Sequence, residues 1–364
     1  MSRDARTGSG RDHGAPATAS PSARRSPAAS RAGVSGNVAA SARRRGPGTT
    51  GKSGGPGAGD GLVVGAVPLL ARASGVLLVL AALAGIAALF PTYLVIGGEE
   101  LATVSGFGSL LAALVVPLAH LAVGVVLVRG VVPKFGLAYA GVVGALALGE
   151  LLIEIYRGSS STTRPAVEVI AGERVLTSSV EVGAGWVLGV VSLALCVLAG
   201  AAAVAAWGRT VMEDGGALDP VRSGLAGAAV LLGVATVLSL ALPAADVPDQ
   251  LVTDPATGLE TVVTREGPQA LLERPGLALL GGLLLAGAVV LCSVVAPSLR
   301  PRLAAVGALL AICVTVLAAG LTGLRDAASS ADLEWTVPGA GLLLTGLGYA
   351  VLTALAWRLR RSRP

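Results

Sequence analysis

Eight residues near the N-terminus match a pattern that binds phosphate in nucleotide-binding proteins. The stretch GPGTTGKS (46–53) has Gly46, Gly51, Lys52 and Ser53 at the fixed positions of G-x-x-x-x-G-K-[S/T]. A working phosphate loop needs a buried strand before it and a helix after it, so that backbone N–H groups face the phosphates. The flanking segments AASARRR and GGPGAGDG favour neither element. We therefore interpret the match as accidental and expect no nucleotide or other cofactor.

A histidine inside a long apolar run is the second candidate for chemistry. His120 lies in VVPLAHLAVG, three residues after Pro117. An ionisable side chain in the hydrocarbon region is costly and is a functional candidate by default. Pro117 also frees a backbone carbonyl that a neighbouring polar group can satisfy. His120 is therefore either a proton-relay or ligand-binding group or a neutral imidazole that packs against another helix, and the sequence favours packing.

Two glutamates lie near the end of the next apolar run, in GELLIEIYRG. Glu150 and Glu154 are four residues apart and share one helix face. Arg157 follows on that face and predicts an ion pair with Glu154. At about 1.5 Å per residue, Glu150 is offset from His120 by roughly 9 Å in depth, so contact between them needs a bridging water. Two interpretations stay open: a proton or cation path that uses both groups, or a third helix that ends earlier than predicted.

Other patterns that carry catalysis or metal binding are missing from the sequence. There is no H-E-x-x-H and no G-x-S-x-G, and the second histidine is His13 in the tail. Cys196, Cys292 and Cys313 each lie in an apolar run without C-x-x-C spacing, which predicts packing or lipid-facing positions rather than a disulfide or zinc site. We expect no catalytic site and no metal. A membrane enzyme is a third alternative and needs converging polar side chains.

Composition indicates the surroundings of these residues. The chain has 364 residues, of which 53% are hydrophobic and 13% charged, and its mean hydropathy is +0.76. Soluble domains carry roughly 25% charged residues, so the apolar surface is expected to face lipid. Lys52 and Lys134 are the only lysines beside many arginines, and Ala, Gly and Val are abundant. In this bias the chain resembles multi-pass membrane proteins of high-GC Gram-positive bacteria, a resemblance of composition that implies no function.

Eight apolar runs are long enough to span a membrane, which takes about 20 residues. The predicted spans are 74–96, 108–128, 136–155, 184–206, 224–244, 276–297, 303–323 and 338–357. The expected fold class is an all-α polytopic membrane protein with short extracytoplasmic β-hairpins. PAVEVIAGERVLT (165–177) and DQLVTDPATGLETVV (249–263) each place two β-rich runs around a glycine-containing turn and predict those hairpins. An unstructured tether with accidental alternation is the alternative.

Similar helix starts indicate an internal repeat. SGFGSLL at 105, VGAGWVL at 182 and PGAGLLL at 338 agree, as do RASG at 72 and RSG at 222. They predict two parallel four-helix repeats related by an axis along the membrane normal, and chance similarity among Ala/Gly/Leu-rich helices is the alternative. The predicted domains are a disordered basic tail 1–60, a first four-helix unit 61–207, a cytoplasmic linker 208–223, a second four-helix unit 224–357 and a basic C-terminus 358–364.

Charge distribution predicts orientation. Residues 1–60 hold nine Arg and one Lys against three Asp, so the tail is +7 and the rest of the chain is −2. The tail has no aromatic residue to stack a base, so we expect no nucleic-acid partner. Its low apolar content predicts disorder. With the N-terminus inside, the inner flanks carry eleven Arg and Lys against six outside, which places both termini in the cytoplasm and the protein in the plasma membrane.

Two functions follow from this architecture. The sequence favours a non-enzymatic envelope-associated, accessory or scaffold protein of the lipid bilayer whose outer loops contact protein partners. The alternative is a secondary transporter or channel for a small solute or ion that uses His120 and Glu150, with Glu154 close by. Polarity inside the bundle separates the two functions, since we expect a transporter to place several polar groups or broken helices at mid-depth. The sequence leaves the oligomeric state open.

Overall fold

Eight long apolar helices dominate the part of the chain that the structure describes. The structure is a computed structural model and describes residues 63–96, 99–104, 106–159, 168–170, 173–175, 180–214, 218–246, 250–253, 260–263, 276–329 and 334–359. Each helix is long and apolar enough to cross a membrane, which confirms the predicted number within these residues. The helices are α1 (Leu69–Ala87), α2 (Phe107–Arg129), α3 (Pro133–Ser159), α4 (Ala184–Trp207), α5 (Arg222–Leu240), α6 (Leu277–Val295), α7 (Arg302–Ser329) and α8 (Val337–Arg358).

The helix limits differ most from the prediction at the end of α1 and at the end of α7, which continues to Ser329, six residues past the predicted limit of 323. α1 ends nine residues before the predicted limit of 96, and the apolar residues that follow Pro91 form a strand, β2 (Leu94–Ile96). α3 continues to Ser159, four residues past the predicted limit of 155. The interpretation in which α3 ends earlier is therefore wrong, and Glu150 and Glu154 both lie within the helix.

α3 and α7 form the centre of the bundle. In their most apolar stretches 61% and 67% of the residues are buried, against 22–39% in the other six helices. α3 packs against α4, α6 and α7, while α7 also packs against α2 and α8. The outer helices expose leucines such as Leu83, Leu231 and Leu344. An exposed apolar surface of this extent is what a lipid environment requires, whereas water would make it unfavourable.

The first and last four helices pack in similar pairs. α1 contacts α2 and α4, and α5 contacts α6 and α8; α3 contacts α4, and α7 contacts α8. The strand after α1, β2, pairs with β6 (Val180–Val182) before α4. The strand after α5, β8 (Ala245–Asp246), pairs with β11 (Glu334–Trp335) before α8. Contacts of α2 with α7 and of α3 with α6 join the two halves.

Most of the short strands belong to one end of the bundle, where α1, α3, α5 and α7 end; we call it the hairpin end. There β2 also pairs with β3 (Glu99–Leu101). β4 (Glu168–Ile170) pairs antiparallel with β5 (Glu173–Val175), and β9 (Gln250–Thr253) pairs with β10 (Glu260–Val263). These two pairs occupy the segments where the sequence predicted hairpins, so that prediction is confirmed.

Arg302 organises the opposite end, which we call the Arg302 end. Its Nη1 donates to the carbonyl oxygens of Trp357 at 2.6 Å and Leu359 at 3.0 Å, and its Nε lies 3.7 Å from Asp214 Oδ1. These contacts fasten the start of α7 to the end of α8 and to the α4–α5 connection. In the same region β1 (Val63–Val64) pairs with β7 (Met212–Glu213).

The three cysteines are buried and unpaired, so the packing interpretation is confirmed and the lipid-facing one is wrong. Two other predictions, the disordered tail 1–60 and the phosphate-loop match 46–53 inside it, lie outside the described residues.

Candidate functional site

A cavity of about 280 Å³ lies between α2, α3, α4 and α7. His120 from α2 and Glu150 from α3 both line it, together with Ser192 and Cys196 from α4 and Thr315 from α7. The structure therefore brings the two intramembrane candidates to one space. No hydrogen bond joins His120 to Glu150 in the described part of the chain, in keeping with the depth offset expected from the sequence.

Helix periodicity explains why these residues share a wall. On α2, Val116, Pro117 and His120 are spaced as neighbours on one face. On α7, Thr315, Ala318, Ala319 and Thr322 follow the same rule, and both alanines leave space that a larger side chain would fill. The cavity thus results from small residues on α7 facing the histidine face of α2.

His120 is 7% exposed and has weak polar contacts. Its Nδ1 lies 3.9 Å from the Cys196 Sγ, a long contact between a ring nitrogen and a weakly polar thiol. Its ring meets Tyr139 edge-on, with 5.9 Å between ring centroids and an angle of 76° between the planes. Among the described residues the imidazole has no other hydrogen-bonding contact, so packing alone leaves much of its hydrogen-bonding capacity unused.

Glu150 and Thr315 line the cavity without a hydrogen-bond or ion-pair partner among the described residues. Other hydroxyls on the same wall are already engaged: Ser192 Oγ donates to the Ala81 carbonyl at 2.8 Å, and Thr322 Oγ1 donates to the Ala318 carbonyl at 2.9 Å. Buried polar groups in proteins are normally satisfied by protein or ordered water. The half-buried Glu150 carboxyl and Thr315 hydroxyl and the buried imidazole thus keep hydrogen-bonding capacity that water or a polar ligand in the cavity can use.

Glu154, the third candidate from the sequence, belongs to a separate cluster at the hairpin end. Tyr93 donates its hydroxyl hydrogen to the Glu154 carboxylate, and Arg157 Nη1 lies 3.2 Å from Glu154 Oε2, which confirms the predicted ion pair. Trp186 Nε1 donates to the Glu154 carbonyl at 2.9 Å. Burial raises the pKa of Tyr93 well above its usual value, so Tyr93 stays a donor at neutral pH. This cluster fastens the segment after α1 to α3 and α4.

Sequence reasoning missed Tyr139, Ser192 and Thr315. The Tyr139 side chain is fully buried, and its hydroxyl has no hydrogen-bond partner among the described residues. Each of the three is a polar residue inside an otherwise apolar run, which is a signal visible in the sequence. The sequence does not show which helices are neighbours. It therefore does not distinguish a polar residue that lines a cavity from one that is hydrogen-bonded to its own helix.

The described residues contain no group of three or more His, Cys, Asp or Glu side chains that could hold a metal ion. Comparisons of the chain with models of protein families, with curated proteins and with solved structures gave no match. The function therefore has to be argued from the cavity and from the groups that line it.

Proposed function

We propose that the protein is a secondary transporter or channel that moves a small solute or ion across the membrane through the cavity between α2, α3, α4 and α7. The Glu150 carboxyl carries the proposal, because it lines the cavity without a partner among the described residues. His120 supplies a second ionisable group on the same wall. Intramembrane ionisable groups that face a cavity are typical of ion and proton pathways.

The lining supports a division of roles between the two groups. Glu150 binds a proton or a small cation, and His120 exchanges a proton with it through water, because the two side chains share a cavity without touching. Thr315 adds a hydroxyl that has no partner among the described residues and can act as a donor or acceptor for the bound species. Several polar side chains converge in the cavity, and this convergence supports a transporter over a scaffold.

Flux measurements in proteoliposomes test the proposal. We expect the native protein to conduct protons or a small solute, and Glu150→Gln to lower the rate at least about tenfold, since positioned proton-transfer groups contribute about 10²- to 10⁴-fold. His120→Ala should lower the rate as well. Glu181→Gln makes the same chemical change on an exposed residue of β6 and should leave flux unchanged. Absence of flux from folded native protein, across a broad panel of ions and solutes, contradicts the proposal.

A scaffold protein of the envelope is the second candidate function. The β9–β10 pair favours it, because two strands form a sheet whose edge groups can pair with an added strand. A scaffold would give no flux in purified proteoliposomes. Deleting residues 250–263 would then abolish the cellular role while leaving the helical bundle folded, whereas a transporter should keep its flux after the same deletion.

We also infer that α1–α4 and α5–α8 are internal repeats. The equivalent helix contacts and the matching pairs β2–β6 and β8–β11 support the inference, along with the similar helix starts. An even number of helices in each unit gives both units the same orientation in the membrane. Structures of homologues should superpose α1–α4 on α5–α8 after rotation about one axis along the bundle.

The hairpin end faces the outside in this proposal, with both termini in the cytoplasm of a plasma-membrane protein. The excess of Arg and Lys at the Arg302 end supports this orientation. A reporter that fluoresces only in the cytoplasm should be active when fused after residue 364 and inactive when inserted between residues 254 and 259. The reverse pattern contradicts the orientation.

A further inference from the structure

A second cavity, of about 450 Å³, lies nearer the hairpin end between the start of α2 and the end of α7. Gly108, Ser109 and Ala112 of α2 line one side, and Leu324, Arg325 and Ala328 of α7 line the other. Small residues on α2 again leave the space. The same two helices that border the deeper cavity therefore border this one.

The two cavities follow each other along one seam. On α2, Ala112 lines the shallower cavity, and Val116, one helical turn further, lines the deeper one. On α7, Leu321 lines the shallower cavity and its neighbour Thr322 lines the deeper one. About one turn of α2 separates the two spaces, and on α7 their lining residues are adjacent. This seam is also a contact between the two halves of the bundle, where small relative movements would widen it.

We propose that the α2–α7 seam is the aqueous route by which water and the transported species, a proton or a small cation, reach Glu150 and His120 from the hairpin end. The identity of the species rests on the proposed function, whereas the presence of water in the seam does not. Glu150 at the inner end of the route provides the negative charge that attracts a cation.

Arg325 fixes the mouth of this route. Its Nη2 lies 2.6 Å from Asp326 Oδ1, which compensates its charge. Its Nη1 donates to the Thr103 carbonyl at 3.3 Å, which connects the end of α7 to the segment before α2. Arg325 is therefore a positioning residue that sets the width of the entrance. Because its charge is paired with that of Asp326, it does not exclude cations from the route.

Cysteine labelling tests the route with matched positions on α2. A thiol reacts as the thiolate, which forms readily only where water is present. Ala112 and Val116 line the seam, whereas Leu111 and Leu118, at similar depths, are exposed on the outer surface of the helix. Each is changed to Cys in a variant whose three native cysteines are replaced by Ala, and a membrane-impermeant methanethiosulfonate is applied to one side of the vesicle at a time.

We expect Ala112→Cys and Val116→Cys to label at least about tenfold faster than Leu111→Cys and Leu118→Cys, and only from the side of the hairpin end. Equal rates within each pair, labelling of neither seam position, or labelling from the Arg302 end alone overturns the route. Thermal unfolding of each variant identifies misfolded protein. If Ala112→Cys does not fold, Ala112→Ser is a smaller change at the same position, and its effect on flux is measured instead.

The outcomes for the route and for transport are separable. Labelling of the seam positions without any flux in the native protein supports the aqueous route and contradicts the proposed function. Flux with an unlabelled seam supports the proposed function and contradicts this route. If the seam positions are labelled and the native protein also shows flux, attaching the bulky label at Ala112→Cys should block flux, while the same label at Leu111→Cys should not.

Discussion

Two polar regions inside the bundle differ in their hydrogen bonding: the cavity between α2, α3, α4 and α7 with its neighbour Tyr139, and the contact of α5, α6 and α8. In the first region the Tyr139 hydroxyl, on the ring that meets His120, has no hydrogen-bond partner among the described residues, and Glu150 faces the cavity. In α5–α8, Ser293 Oγ lies 2.6 Å from Tyr349 Oη, and the Ala229 carbonyl lies 3.1 Å from the same hydroxyl. The same bundle thus contains an open polar site in the first region and a closed network in the second.

Polar groups that stabilise the fold differ in this respect from polar groups that are available to bind water or a ligand. A buried hydrogen bond contributes about 0.5–1.5 kcal/mol, whereas a buried group without a partner costs about 1–3 kcal/mol. The Ser293–Tyr349 network fastens α6 to α8 and α8 to α5. The Tyr139 hydroxyl and the Glu150 carboxyl give no such stabilisation, and water or a ligand beside them would satisfy them.

The largest expected effect on stability comes from overfilling the closed network. A Cβ on Gly233 would lie 2.6 Å from Ser293 Oγ and 3.3 Å from Tyr349 Oη, so Gly233→Ala must displace Ser293 from its bond. We expect this substitution to lower the free energy of unfolding by about 1–3 kcal/mol, the usual range for overpacking. Denaturation in detergent micelles measures it, and flux per folded molecule should stay near native.

Gly227 on the same helix provides the matched control. A Cβ there meets no atom within 4 Å, and Ala is up to about 1 kcal/mol better than Gly in a helix interior. Gly227→Ala should therefore be neutral or stabilising. If the two variants unfold alike, the network in α5–α8 is not tightly packed and the contrast between the two regions weakens.

Removing one hydroxyl from the closed network should have a smaller effect. Tyr349→Phe deletes the contacts of Tyr349 with Ser293 and with the Ala229 carbonyl, while Ser293 keeps its bond to the Val289 carbonyl at 2.6 Å. We expect a loss of about 1 kcal/mol in the free energy of unfolding and unchanged flux. A large fall in flux with stability retained would move the functional site toward α5–α8.

The sequence predicts much of the helical architecture and the depth of the candidate residues. The length of the apolar runs identifies the eight long helices of the described residues, because a helix needs about 20 apolar residues to cross a bilayer. It misplaces the end of α1, since Leu94–Ile96 are as apolar as a span but pair with Val180–Val182 as strands. That pairing joins two loops far apart in the chain, so no local pattern reveals it.

The cavity could be predicted in part only. Hydropathy and spacing identify His120 and Glu150 as intramembrane groups, but the wall that completes the cavity comes from α7, through Thr315 and its alanine neighbours. Which helix faces which is decided by close backbone approaches such as Gly149 to Gly281, where a Cβ on Gly149 would lie 2.6 Å from the Gly281 carbonyl oxygen. In a chain with 51 glycines, the sequence does not single out these pairs.

The smallest expected effect on stability comes from removing the unpaired hydroxyl in α1–α4. Tyr139→Phe deletes an atom that has no hydrogen-bond partner among the described residues and keeps the ring against His120. We expect the free energy of unfolding to stay the same or to rise by up to about 1 kcal/mol, because the cost of burying an unpaired hydroxyl disappears. Denaturation measured beside Tyr349→Phe compares the same chemical change in the two halves.

Flux of the Tyr139→Phe variant then shows what the hydroxyl does. If Tyr139 holds a water beside His120, that water would extend the chain of waters from the cavity toward the Arg302 end. Loss of this water in Tyr139→Phe should then slow flux severalfold without loss of stability. A loss of stability equal to that of Tyr349→Phe would mean that Tyr139 is satisfied within the fold. The two regions would then differ in the cavity alone, and Glu150 and His120 would account for the functional contrast without Tyr139.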